Sequence, residues 1–133
     1  MSDRETGLQW DKPFGWAPIQ MLAVEGMRRY GFDQDADRVS RKFLTMVKQN
    51  AVRDGTIREK YDVITRSTTT QVTAGYKMNV VGFGWTNGAF LVLLHQMKPD
   101  DQQVIVDNGI VPAVSAVIRS GERTVLEKSY AGN

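Results

Sequence analysis

Pro18-Ile19-Gln20-Met21-Leu22-Ala23-Val24-Glu25-Gly26-Met27-Arg28-Arg29-Tyr30-Gly31-Phe32-Asp33 is the stretch on which the fold turns. A proline at its head suits the first turn of a helix, where a backbone N–H would have no partner. Ile19, Leu22, Ala23, Met27 and Tyr30 then recur at helical spacing, and Gly31 is a stop. Asp33 is a good N-cap for a second helix, with Asp35 and Asp37 complementing the positive end of its dipole. Ala36, Val39, Phe43, Met46 and Val47 make the second stripe, and Asp54-Gly55 ends it. Helices over 18–30 and 33–54 with so short a connection pack antiparallel, as an αα-hairpin.

Working outward, residues Thr56 to Val63 read as extended, and a long polar loop runs on to about Val81. A third helix is expected over 85–97. It is apolar nearly all round, which predicts a central, buried position, and Lys98-Pro99-Asp100-Asp101 should terminate it. Residues 98–133 form a plainer tail, set apart from the motif-rich 1–97. There Val104-Ile105-Val106 and Ala113 to Ile118 suit short strands and a last helix equally. The expectation is an all-α protein built from antiparallel hairpins and long connecting loops, with minor strand content.

Composition narrows the chemistry. The 133 residues are 41% hydrophobic and 24% charged, which suits a single domain with an ordinary core. Seventeen Lys+Arg stand against fifteen Asp+Glu, and the adjacent basic pairs are Arg28-Arg29 and Arg41-Lys42. No basic stripe for nucleic acid results. Without cysteine there is no disulfide framework and no thiolate ligand or nucleophile, and a single histidine, His95, excludes a multi-histidine metal site within the chain. The polar start lacks the apolar core of a secretory signal, and Ala89 to Leu94, the longest apolar run, falls far short of the roughly 20 residues that span a bilayer. A soluble chain with no membrane partner is expected, cytoplasmic as written and periplasmic if a parent protein supplies a signal. What survives is carboxylate chemistry, or none.

Three segments are candidates for it. In Ile57-Arg58-Glu59-Lys60-Tyr61-Asp62-Val63, alternation puts Ile57, Glu59, Tyr61 and Val63 on one side of an extended segment and Arg58, Lys60 and Asp62 on a solvated one. Glu59 then shares an apolar face, where a carboxylate needs a partner or a function. The same residues also suit an irregular loop with Glu59 in water. Gln9-Trp10-Asp11-Lys12-Pro13-Phe14-Gly15-Trp16-Ala17-Pro18 reads as a rigid aromatic loop feeding a helix. Its tryptophans suit the apolar faces of a sugar, with Gln9 and Asp11 for the hydroxyls, or else plug the core. Gly82-Phe83-Gly84-Trp85-Thr86-Asn87-Gly88 lets a ligand or a neighbouring helix approach closely, and it has neither dinucleotide-fingerprint spacing nor a phosphate-loop lysine. His95 reads as a core or helix-end histidine.

Taken together and in this order, Gln9-Trp10-Asp11 with Pro13 and Gly15-Trp16-Ala17-Pro18, Glu59-Lys60-Tyr61-Asp62-Val63 and Gly82-Phe83-Gly84-Trp85-Thr86-Asn87-Gly88 resemble the C-terminal part of a trehalase of glycoside hydrolase family 37. The resemblance covers residues 8–97. It implies a portion of an (α/α)6 toroid that hydrolyses α,α-trehalose to glucose with inversion, without a metal or other cofactor. It also implies that Glu59 is the general base, with Gln9, Trp10, Asp11, Trp16 and Trp85 binding the disaccharide. An inverting enzyme needs a second carboxyl group as acid. The family places that acid upstream of its Gln-Trp-Asp motif, so this chain is expected to carry only the general-base half and to be inactive alone. The family's substrate-binding glutamate aligns with Gly75, beside Tyr76, a departure that removes a substrate contact. The alternative is a non-catalytic helical remnant or interaction module. The partners this implies are the disaccharide and either the remaining N-terminal part of the toroid or a second copy of the chain.

Overall fold

The computed structural model describes residues 6, 8–70, 72, 78–82 and 84–107. Gly75, Tyr76, Phe83 and Ala113 to Ile118 lie outside the described residues. In chain order the elements are β1 (Phe14–Trp16), α1 (Ala17–Arg29), α2 (Asp33–Asp54), β2 (Lys60–Asp62), α3 (Gly84–His95) and α4 (Pro99–Asp107).

The hairpin forms as its periodicity predicts. Gly31, at φ 79°, takes the left-handed turn a side chain would resist, and the Phe32 N–H reaches back 2.8 Å to the Met27 carbonyl. The sequence reading differs at the cap. Phe32, not Asp33, occupies the N-cap position of α2 and makes no side-chain capping bond. The acidic residues there serve the turn instead: Arg28 Nη2 lies 2.7 Å from Asp37 Oδ1, and Nη1 lies 3.6 Å from Asp33 Oδ1. Between the helices, Val24, Ala36, Leu44 and Val47 are sealed from solvent and form the centre of the core with Leu93 of α3.

β1 and β2 form a two-stranded antiparallel ribbon with Phe14 opposite Asp62, Gly15 opposite Tyr61 and Trp16 opposite Lys60. The Val63 N–H extends the pairing to the Pro13 carbonyl at 2.9 Å. A Cβ on Gly15 would stand 2.2 Å from Val63 Cγ1, so only glycine lets the strands close at that point. The ribbon encloses the whole hairpin and delivers its two ends, Trp16 and Lys60, to one place.

Two expectations are corrected. α3 is not buried all round: Thr86, Ala89 and Leu93 face inward, while Trp85, Leu91 and Val92 are exposed. An apolar helix reports how much surface it can bury, not whether a neighbour covers it, and no described element covers that side. Further, Lys98-Pro99-Asp100-Asp101 ends one helix by starting another. Pro99 opens α4, with Asp100 and Asp101 in its first turn. Ile105 and Val106 are buried, and Lys48 of α2 reaches both of their carbonyls through Nζ, the Val106 bond at 3.2 Å. Burial pushes the Lys48 ammonium below its ordinary range, with Asp107 opposing the shift. His95, in the last turn of α3, is exposed and is therefore a helix-end histidine.

Candidate active site

Glu59 enters the site on a backbone held from two directions. Its N–H donates to the Val80 carbonyl at 2.9 Å, and Thr86 Oγ1, in the first turn of α3, donates to its carbonyl at 3.3 Å. The following residue is braced by one amide side chain. Asn79 Oδ1 accepts from the Lys60 N–H at 3.2 Å, while Asn79 Nδ2 donates to the Lys60 carbonyl at 3.0 Å and to the Thr68 carbonyl at 2.8 Å. The loop that returns from β2 to α3 therefore fixes the Glu59-Lys60 dipeptide through main-chain groups on both sides.

The expectation for these two side chains is half overturned. Glu59 is buried, as its apolar face predicts, with its side chain 4% exposed. Lys60, assigned to the solvated face, is 0% exposed. The ribbon is covered on both faces, so alternation in β2 separates two buried sides rather than inside from outside. Lys60 Nζ donates to Glu59 Oε2 at 3.1 Å and to the Met78 carbonyl at 2.8 Å, and it lies 5.2 Å from the centre of the Trp16 ring. Acceptors and an aromatic face together replace the water a buried ammonium loses. Glu59 is thus not an open carboxylate. One of its oxygens is tied to a cation, and Oε1 stands outside that ion pair.

The three tryptophans of the sequence motifs converge here. Trp10 stacks on Trp16 with ring centroids 4.1 Å apart at 19°, and Trp85 meets Trp16 edge-on at 5.9 Å and 79°. Trp16 is buried and donates through Nε1 to the Gln9 carbonyl at 2.7 Å, whereas Trp10 is 51% exposed and Trp85 37%. Trp16 is therefore the pillar and the other two are the accessible aromatic surfaces. Gln9 contributes its main chain to this cluster. Asp11 accepts from Thr6 Oγ1 and, through its carbonyl, from the Phe14 N–H at 2.9 Å, so it shapes the loop.

Several surrounding polar groups are occupied structurally. Asp62 Oδ1 accepts from the Ile64 and Thr65 N–H groups at 2.8 and 2.9 Å, closing the turn after β2. The Arg53 guanidinium, then the Thr68 hydroxyl, hold the Asp54 carboxyl down at about 2. Burial pushes the Tyr61 phenol up, although its oxygen accepts from the Arg58 N–H. No group of three or more His, Cys, Asp or Glu able to hold a metal occurs among the described residues. Sequence reasoning missed Lys60, Asn79 and Thr86. Asn79 and Thr86 carry no pattern that links them to Glu59, since those contacts cross a long loop.

A family profile described as Trehalase matches residues 1–98. A periplasmic trehalase of Pseudomonas aeruginosa is 43% identical over 99 residues, covering 72% of this chain and 17% of its own length. A periplasmic trehalase of Escherichia coli is 41% identical over 116 residues, covering 87% of this chain and 20% of the relative. Among solved structures, the neutral trehalase of Saccharomyces cerevisiae superposes with a TM-score of 0.59 at 32% identity, over 93% of this chain and 19% of that one. The fold is accordingly that of a portion of an (α/α)6 helical toroid. The chain belongs to the trehalase family, and it spans about a fifth of the length of the curated relatives it matches.

Proposed function

We propose that this chain carries the general-base half of an inverting trehalose-hydrolysing site, with Glu59 as the base and Trp10, Trp16 and Trp85 as the aromatic wall against which the sugar lies. The observation that supports the reading is the convergence of Trp10, Trp16 and Trp85 beside the buried Glu59-Lys60 dipeptide, with Trp10 and Trp85 left partly exposed as a surface for a sugar. Glu59 Oε1, outside the ion pair with Lys60, is the atom that would accept the proton of a water attacking the anomeric carbon. A second carboxylic acid protonates the glycosidic oxygen as the carbon–oxygen bond breaks, giving two glucose molecules with inversion at the attacked centre.

Neither nearby aspartate is placed for that second role, since Asp62 closes its turn and Asp11 is engaged by Thr6. The acid is therefore to come from another part of the toroid, and residues 1–97 act as one segment of a larger catalytic unit. With two relatives named periplasmic, we place the assembled enzyme in that compartment. Among the described residues no helix is long and apolar enough to cross a membrane.

The closed Glu59–Lys60 pair favours a second reading, in which the dipeptide is a packing element of a non-catalytic module. Mixing decides between them. The chain is combined with a periplasmic trehalase truncated before the matching segment, and glucose release from trehalose is followed. Turnover on mixing that Glu59→Gln abolishes supports the base. Turnover that survives Glu59→Gln, or none on mixing, supports the packing role.

A further inference from the structure

One cavity among the described residues lies away from Glu59. It is a space of about 410 Å³ between the flank of α2 and the turn after β2, lined by Gln20, Val39, Lys42, Phe43, Met46, Val63 and Arg66. No tryptophan lines it, and neither Glu59 nor Lys60 does. We propose that this cavity binds a small carboxylate with a compact apolar body, the body lying on Val39, Phe43, Met46 and Val63 and the carboxylate between Lys42 and Arg66.

Three observations point to that ligand. First, the lining is sided: four apolar side chains, one amide and two cations, with no acidic residue among them. A volume of this size lies in the range of small-molecule sites, which pair an apolar lining with a few polar groups that fix orientation. Second, neither Lys42 nor Arg66 forms an ion pair among the described residues, although neighbouring basic residues do: Arg41 pairs with Asp101, Arg38 with Asp35 and Arg53 with Asp54. Two uncompensated cations beside one cavity set up a field that favours an anion. Third, the main chain of Arg66 is fixed, with its side chain exposed at the cavity rim. Arg66 is the one described non-glycine residue with positive φ, at 58°, and its carbonyl accepts at 2.9 Å from Nδ2 of the buried Asn50, which also donates to Met46. Left-handed backbone at an arginine persists only where its surroundings impose it. Here the imposed turn brings a guanidinium, suited to gripping a carboxylate through two N–H bonds, to the cavity.

The test titrates the full chain, labelled at methionine and valine methyls, with 3-phenylpropanoate, 3-phenylpropanol and 3-phenylpropylamine. Saturable shifts at Met46, Val39 and Val63 are expected with the acid, and binding about tenfold or more weaker with the alcohol and the amine, the effect of losing charge-assisted hydrogen bonds. Arg66→Gly removes the cation while suiting the left-handed backbone, and Lys42→Gln removes the other on an exposed helical surface. Each should weaken the acid and leave the alcohol unchanged, with unaltered helical content verifying the fold. Equal affinity for all three compounds, or no saturable shift with the acid, overturns the proposal. Acid binding that shifts the indole signals of Trp10 and Trp85 and leaves the Met46 methyl in place overturns it too, by placing the anion elsewhere.

Discussion

Glu59 and Lys60 are sequence neighbours whose side chains meet, Nζ to Oε2 at 3.1 Å, with both sealed from solvent. Glu59 stands at a bend immediately before β2, so it is not bound by the alternation of the strand. Trp16, directly opposite Lys60 in the ribbon, lies with its ring 5.2 Å from the Lys60 ammonium and flanks the pair.

Breaking the pair from one side leaves a buried charge. Lys60→Met is expected to destabilise the chain by about 3–5 kcal/mol, the usual cost of removing one partner of a buried ion pair. Glu59→Gln keeps the shape and an acceptor for Lys60, so about 1–3 kcal/mol is expected. The double variant should lose clearly less than the sum of the two. Urea unfolding followed by tryptophan fluorescence measures all three, and additive losses would show that the two groups do not interact.

Gly15→Ala places a methyl against Val63 Cγ1, and the resulting overpacking should cost about 1–3 kcal/mol. Val63→Ala removes the opposing methyl, while the Cβ of residue 63, 3.7 Å from where the new methyl would sit, remains in ordinary contact. The double variant should therefore recover part of the loss. A Gly15→Ala chain as stable as the parent would mean the ribbon does not close as described.

The clip of Asp54 with Arg53 and Thr68 fixes the pH response of the segment that follows α2. With the folded carboxyl held at about 2 against an ordinary value near 3.9, its contribution is fully present above the ordinary value. It is lost as pH falls through about 2. Hydrogen exchange at 54–68 should accelerate over that acid window in the parent, and Asp54→Asn should flatten this part of the response.

Lys48→Met removes the ammonium that satisfies the C-terminal carbonyls of α4. Amide protection in α4 should fall while that of α1 and the first turns of α2 is kept. Because burial lowers the Lys48 ammonium, the unfolded chain binds the extra proton over the interval between its folded and unfolded values. Stability therefore rises with pH across that interval, and Lys48→Met should remove the rise.

The helical hairpin was legible because its evidence is local. Gly31 and Gly55 stop the chain where they stand, and the stripe from Ala36 to Val47 repeats within one element. Convergence of Trp10, Trp16 and Trp85 was suggested by ordered motifs, and the stacking then follows from β1 and the first turn of α3. What could not be read was burial that depends on distant partners. Lys60 looks solvated until Met78 and Trp16 are known to cover it. Leu91 and Val92 look buried until the neighbours of α3 are known. Lys98-Pro99 looks like an end because proline both follows one helix and begins the next.

The pairing of Phe14–Trp16 with Lys60–Asp62 also sets an order of events. These strands are separated by the entire α1–α2 hairpin, so they meet only when its two ends are already held near each other, and the closure entropy of the loop has to be met first. Contacts local to the helices are expected to precede the ribbon. The tryptophan cluster around Lys60 therefore depends on the hairpin, because Trp16 and Lys60 are brought opposite each other only across it.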